Sequence, residues 1–279
     1  MMKIEFKNVS YAYNKTDKLA LSDVNLKFDN NEIIFILGHT GSGKSTLVQH
    51  LNGLLFPTSG KVDIEIDGVV YHVNAKEKKI KELRKNIGLV FQFPENQLFE
   101  STVLKDVMFG PKNFGYDSIE AEKLAKASLT LLGIDERYYN RSPFELSGGE
   151  KRKVAIAGVL ASKPKILVLD EPTSSLDNKS TREFFTMLER LKQKGVMVIV
   201  VSHNVNLCYE YADKVVILSK GEVSYFGDYK NAFNDKKMLL ESNIEIPFVL
   251  KAKEKFSVNG EVRNVKQLIE HLREESHNE

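Results

Sequence analysis

Five consecutive apolar residues, Ile33-Ile34-Phe35-Ile36-Leu37, run straight into Gly38-His39-Thr40-Gly41-Ser42-Gly43-Lys44-Ser45-Thr46, and a helical pattern follows. A short run that is apolar throughout reads as a strand covered on both faces, the kind found in parallel sheets flanked by helices. The spacing Gly, four residues, Gly-Lys-Ser is that of a phosphate-binding loop. Its glycines reach backbone conformations closed to other residues, so successive N–H groups can turn toward the β- and γ-phosphates of a nucleotide at the positive end of the next helix. Lys44 adds a point charge, and the Ser45 hydroxyl suits Mg2+.

The rest of the chain is organised around that loop. Short strand patterns at 4–6, 24–28, 62–66 and 69–73 precede or follow it, the last two joined by Asp67-Gly68, a hairpin signal. From Lys76 to about Ser162 the pattern is helical and reads as an insertion between strands; residues 118–132 are expected to bury Leu124, Ala127 and Leu131, with Gly133 as the stop. Buried-strand patterns resume at 166–169, 196–201 and 215–218, with a crossover helix at 178–194 carrying Phe184, Leu188 and Leu191 on one face. After Gly227 the chain is richer in charge, and we expect an appended tail with two or three short helices, the clearest at 265–272.

Composition limits the function classes. Forty basic against 38 acidic residues leave +2, too little for a protein that coats nucleic acid, so phosphate binding must be local. One cysteine, Cys208, excludes an intramolecular disulfide framework and a cysteine-based zinc site; with no cationic cluster beside it, it reads as a small buried apolar residue. The longest apolar runs fall far short of the roughly 20 residues a spanning helix needs, and the first residues alternate polar and apolar, so neither a bilayer crossing nor a secretory signal is expected.

Three further segments carry chemistry. Ile166-Leu167-Val168-Leu169-Asp170-Glu171 is a buried strand ending in two carboxylates, which strand alternation points in different directions. Asp170 is placed to hold Mg2+, and Glu171 to orient or deprotonate an attacking water. Leu146-Ser147-Gly148-Gly149-Glu150 opens a helical pattern, with Ser147 and Glu150 at capping-box spacing and the Gly148 and Gly149 amides exposed as an anion site. Glu150 would then serve the cap and stay off the phosphate, its charge offset by Lys151, Arg152 and Lys153. His203 follows another buried strand; alone it reads as a strand-end histidine, and past the carboxylates it reads as a γ-phosphate contact.

The five residues from Leu146 to Glu150 resemble the signature motif of the ABC (ATP-binding cassette) ATPases, with Glu150 in place of the commoner Gln. The family's other elements occur in order over residues 1 to about 228: an adenine-stacking aromatic at Tyr13, with Tyr11 its nearest competitor; the loop glutamine Gln92 in Val90-Phe91-Gln92; the loop Ser174-Ser175-Leu176-Asp177; and the switch histidine His203. The resemblance implies an α/β fold with a RecA-like core, an antiparallel β subdomain, a helical subdomain at about 93–162 and a small C-terminal helical extension at 229–279. It implies ATP and Mg2+ as cofactors, with Glu171, His203 and Gln92 catalytic and Ser45, Gln92 and Asp170 at the metal. ATP contacts would come from Tyr13, residues Gly38, His39, Thr40, Gly41, Ser42, Gly43, Lys44, Ser45 and Thr46, and Asp177. Ser147, Gly148 and Gly149 would bind the γ-phosphate held by an opposite subunit, so that two subunits sandwich two ATP molecules.

Three stretches narrow the resemblance: 90–100 (Val-Phe-Gln-Phe-Pro-Glu-Asn-Gln-Leu-Phe-Glu), Ser142-Pro143-Phe144-Glu145 and 154–161 (Val-Ala-Ile-Ala-Gly-Val-Leu-Ala). They are similar to the ATPase subunits of energy-coupling factor (ECF) transporters, of the second of two paralogous types. That implies a peripheral subunit on the cytoplasmic face of the membrane, paired with a paralogous ATPase on a transmembrane scaffold (T component). A membrane-embedded S component would capture a vitamin or a transition-metal ion, and no nucleic acid is involved. Phe93, Leu98 and Phe99 are candidates for a scaffold-docking groove, each of them equally able to pack inside the helical subdomain. The competing class is a soluble ABC ATPase acting on ribosomes or DNA, whose members usually carry two cassettes or a long coiled-coil insertion; neither is present here. A non-hydrolytic nucleotide-binding regulator is a third class, and the carboxylate of Glu171 speaks against it.

Overall fold

The computed structural model describes residues 2–14, 17–29, 31–174, 176–258 and 260–277; Ser175 of the loop before Asp177 lies outside them. Two sheets form. β1 (Met2–Tyr11), β2 (Leu21–Asp29), β4 (Ser59–Ile66) and β5 (Val69–His72) make an antiparallel sheet in the order β2-β1-β4-β5. β3 (Ile33–Leu37), β6 (Ile87–Val90), β7 (Ile166–Asp170), β8 (Met197–Val201), β9 (Lys214–Ser219) and β10 (Glu222–Asp228) make the other, in the order β10-β9-β3-β8-β7-β6. Its strands run parallel except β10, which pairs antiparallel on the edge.

β3 is central, and its alternation divides the core. Ile33, Phe35 and Leu37 face a cluster that includes the helices, whereas Ile34 and Ile36 face a cluster shared with the small sheet. Both faces are therefore covered, as the unbroken apolar run requires. α1 (Lys44–Leu51) follows the phosphate loop and buries Leu47, Val48 and Leu51 on the small-sheet side. α2 (Ile80–Asn86) leads into β6. β6 corrects the expectation of uninterrupted helix from 76 to 162: Ile-Gly-Leu-Val is fully buried and pairs with β7 from Ile87↔Ile166 to Val90↔Leu169.

α3 (Val103–Asn113), α4 (Ser118–Leu131) and α5 (Gly148–Leu160) pack together on the other side. The Asp117 carboxylate caps α4 by accepting from the Glu120 N–H, and the helix buries Ala121, Leu124, Ala125, Ser128 and Leu129. That face is one residue off the expected one: Ala127 is exposed and Leu131 half-buried, because the helix continues its 3–4 spacing from Ala121. α6 (Asn178–Gln193) and α7 (Val205–Tyr211) are crossovers to β8 and β9. After β10 come α8 (Tyr229–Asn234), α9 (Lys236–Glu241), α10 (Phe248–Lys255) and α11 (Val265–His277). These are more than an appended tail: Phe233, Leu239, Val249, Ala252, Val258, Val262 and Leu268 all join the helix-side core.

Candidate nucleotide site

Register sets the site. Val201 pairs with Ile36 and with Asp170, and Val90 pairs with Leu169. Gly38, His203, Glu171 and Gln92 each lie two residues beyond Ile36, Val201, Leu169 and Val90 respectively, so four adjacent strands deliver them to one edge of the sheet. The carboxyl ends of parallel strands are where open α/β sheets bind ligands.

The phosphate loop leaves β3 through Gly38, at φ 155°, where an added Cβ would meet the Leu218 carbonyl oxygen and Ser42 Oγ, each at 2.4 Å. Gly43 precedes α1 as its N-cap and offers no side-chain cap, so among the described residues no capping side chain claims the amides of the first turn. Lys44 Nζ donates to the Gly38 carbonyl at 2.8 Å and the His39 carbonyl at 3.0 Å. Burial holds its ammonium below the ordinary lysine range, against the pull of Glu171 and Asp170. Asp170 is buried, and burial pushes its carboxyl up while the nearby Ser45 hydroxyl works the other way. Ser42 Oγ is buried without a hydrogen-bond partner. The phenol oxygen of Tyr13 and Thr46 Oγ1 are 2.9 Å apart, which leaves the Tyr13 ring exposed beside the loop. Tyr11 is engaged edge-on by Tyr13 and by His50, both at 5.1 Å.

Glu171 has a left-handed backbone, φ 48°, and its N–H donates to the Val201 carbonyl at 3.0 Å. Its Oε1 is 2.8 Å from His203 Nδ1, with the carboxylate 13% exposed and the imidazole 74% exposed. A shielded carboxylate held by an exposed ring is suited to positioning a water at the mouth of the site. Gln92 is exposed in the loop after β6.

The capping box of α5 is built as the spacing predicts. Ser147 Oγ accepts from the Glu150 N–H at 3.4 Å, and Glu150 Oε2 accepts from the Ser147 N–H at 2.9 Å and its hydroxyl at 2.7 Å. Those bonds hold the Glu150 carboxyl below its ordinary range. Cβ atoms added at Gly148 or Gly149 would meet nothing within 4 Å. Among the described residues, no hydrogen bond or ion pair joins Ser147, Gly148 or Gly149 to the phosphate loop. Asp177 is exposed, and its carboxylate caps α6 by accepting from the Ser180 N–H at 2.7 Å.

Two expectations are corrected here. Arg152 is only 1% exposed and does not offset Glu150: Nε and Nη2 donate to the Glu95 carboxylate at 3.1 and 3.3 Å, and Nη1 to the Pro172 carbonyl at 3.4 Å. It thereby ties the loop after Gln92 to the residue following Glu171. Leu98 is 6% exposed and packs in the core at the floor of the groove that Phe99 and Phe109 line; Phe93, Phe99 and Phe109 are exposed, and Phe99 and Phe109 meet edge-on at 4.9 Å. Cys208 is buried, as expected, and burial pushes its thiol well up. Among the described residues no helix is long and apolar enough to cross a membrane.

Comparison with known proteins bears on the family and the fold. The family model described as ABC transporter matches residues 21–174. The chain is 48% identical over 262 residues to the energy-coupling factor transporter ATP-binding protein EcfA2 of Streptococcus agalactiae, covering 93% of each chain. It is 44% identical over 277 residues to EcfA2 of Streptococcus pyogenes, covering 98% of each. Among solved structures it resembles cbiO1 from Clostridium perfringens, described as part of the ABC transporter complex cbiONQ, at TM-score 0.74 and 35% identity over 90% of this chain and 98% of that one. It also resembles the dimeric, post-hydrolysis cassette MJ0796 bound to ADP and Pi, at TM-score 0.72 and 32% identity over 81% and 98%.

Proposed function

The chain belongs to the ABC transporter family, and from that premise we propose that it is the ATP-hydrolysing subunit of an energy-coupling factor importer, powering uptake of vitamins or transition-metal ions through membrane partners. The observation that carries the reading is the 2.8 Å contact between Glu171 and His203 at the strand edge that also holds Lys44 and Asp170.

The Tyr13 ring offers a face for adenine. The uncapped amides of α1 and the Lys44 ammonium take the β- and γ-phosphates, aided by His39, Thr40, Gly41, Ser42 and Thr46 of the loop. The Ser45 hydroxyl and Asp170 carboxylate are hard oxygen donors close enough to influence each other, and a divalent cation would relieve the cost of burying the Asp170 charge. They fit Mg2+, which when bound would neutralise phosphate charge, and Gln92, in the loop after β6, would be a further ligand. Glu171 orients the attacking water and accepts its proton, while His203 holds the Glu171 carboxylate and contacts the γ-phosphate. Ser147, Gly148 and Gly149 complete the site of a second subunit, with Asp177 at the same junction. We take that subunit to be a paralogue.

We divide the chain into an ATP-binding unit at 1–228, with a helical subdomain at about 93–162, and a C-terminal extension at 229–279. Exposed Leu54, Phe99 and Phe109, with Phe91, line a groove of about 370 Å3 beside Gly88 and Ala155. We assign it to the transmembrane T component, with an S component beyond it carrying the substrate. That places the chain peripherally on the cytoplasmic face.

Glu171→Gln tests the chemistry: ATP binding is expected to survive while turnover falls by at least about 100-fold. Unchanged turnover would remove Glu171 from the reaction. Pull-down of the full chain from detergent-solubilised membranes tests the assignment. A scaffold and a small membrane protein are expected, and ribosomes or DNA in their place would overturn it.

A further inference from the structure

α7 starts two residues after His203, with Asn204 as its cap: the Asn204 side chain accepts from the Asn206 and Leu207 N–H groups, both at 3.1 Å. His203 is therefore strung between Val201, locked in the sheet, and a short helix that carries little rigidity of its own. The segment after β10 grips that helix at both ends. At the near end the Phe248 N–H, which opens α10, donates to Asn206 Oδ1 at 2.7 Å. At the far end Arg263 donates through Nε to the Tyr209 carbonyl at 3.2 Å and through Nη2 to the Ala212 carbonyl at 2.6 Å. Carbonyls at a helix C-terminus lack intrahelical partners and carry partial negative charge, so a guanidinium there both satisfies and attracts them.

Arg263 is itself held. Its guanidinium lies 4.0 Å from the centre of the Tyr229 ring, and the Tyr229 hydroxyl donates to Glu261 at 2.7 Å. The Tyr209 ring meets Tyr229 at 5.6 Å and Phe233 at 5.5 Å, both edge-on. Polar bonds at the two ends fix the helix against sliding and rotation.

We infer that the C-terminal extension positions His203 against Glu171 through α7, with Arg263 and Asn206 as the positioning residues. The inference rests on the reading of His203 as part of the hydrolytic site. It gives the extension a role in the reaction of this chain, apart from any partner it meets.

The test uses the full chain with its ATPase partner. Arg263→Ala is expected to lower kcat at least about fivefold with little change in KM for ATP, and Arg263→Lys to recover part of the loss. The same substitution in a His203→Ala background is expected to cost nothing further; an equal loss in both backgrounds means a general structural effect and overturns the inference. A second reading does not depend on catalysis. In histidine-labelled protein the Nδ1 resonance of His203, assigned by its disappearance in His203→Gln, is expected to move in Arg263→Ala and in Asn206→Ala and to return in Asn206→Asp, which keeps the acceptor oxygen. An unmoved resonance overturns the inference. If His203→Ala alone keeps full turnover, the catalytic reading of His203 falls, and the resonance still decides whether α7 is clamped. Asn206 is exposed on α7, so its variants carry the test should Arg263→Ala fail to fold.

Discussion

A methyl group added at Gly38 and one added at Gly41 have different consequences, and the difference separates scaffold from binding surface within one loop. At Gly38 it would stand 2.4 Å from a backbone carbonyl oxygen, with φ 155°, so the strand-to-loop junction has to shift. Gly38→Ala is expected to lower unfolding free energy by about 2–4 kcal/mol in a urea melt without nucleotide. At Gly41 the methyl would meet nothing, and the penalty is the left-handed backbone alone, about 1–2 kcal/mol. The open side of Gly41 faces the space we assign to phosphate, so Gly41→Ala is expected to weaken ATP binding well beyond its effect on the melt; unaltered ATP affinity would move the phosphates elsewhere. Residues of this kind are legible in sequence because phosphate binding demands glycine, lysine and a hydroxyl at fixed spacing. Glu171 and His203 are legible because strand ends deliver them to one edge. Arg152 and Glu95 are not legible as a pair, since 57 residues separate them and Arg152 sits within the charge run from Glu150 to Lys153.

At the scale of the element, the cap of α5 joins folding to function. Ser147→Ala removes the side chain that accepts from the Glu150 N–H, and is expected to cost about 1 kcal/mol in a urea melt. Glu150→Gln keeps an oxygen for the Ser147 amide and is expected to cost less, which separates the cap from the charge. Acid dependence separates them further. The Glu150 carboxyl is held below its ordinary value of 4.5, so the ionised form is favoured in the folded chain. That stability is in place above the ordinary value and is lost as pH falls through the depressed one. Melts from pH 7 down to pH 3 are expected to show a smaller acid-side loss in Glu150→Gln than in wild type, and parallel curves would mean that the carboxylate adds nothing as an ion. Elements were legible where one periodicity ran unbroken, as in β3 and α6. β6 was missed because four apolar residues beside Lys-Glu-Leu-Arg-Lys-Asn look like the end of a helix, and only pairing with β7 makes them a strand. The helices after β10 looked peripheral because their apolar residues are spaced singly among charges. Only their burial in the helix-side cluster shows that Val249, Val258 and Val262 belong to the main core, with α8 packed on α7 and β9.

For the whole molecule, the phosphate loop and the start of α5 lie on one chain with no hydrogen bond or ion pair between them among the described residues, so the small net charge of +2 is compatible with the two local anion sites we propose. On the proposed reading a single chain presents half of each of two sites, and hydrolysis is expected to be a property of a pair. Turnover per chain is expected to rise with the concentration of a signature-bearing partner and to saturate. Gly149→Asp gives the critical control. The side chain points into open space, and a carboxylate in the first turn of a helix is compatible with its dipole, so the variant is expected to fold and melt like wild type. The same carboxylate would face the γ-phosphate of the opposite subunit, where repulsion and loss of the open amide surface are expected to cut turnover at least about 100-fold. The measurement is steady-state ATP hydrolysis by a fixed amount of wild-type chain titrated with its ATPase partner, with and without the equivalent substitution in that partner. Saturable stimulation by the first and none by the second follows if each site is completed across the pair. A rate per chain that stays constant down to nanomolar concentration, or stimulation that survives the substitution, would mean that one chain hydrolyses ATP by itself and that the glycines of α5 serve some other contact.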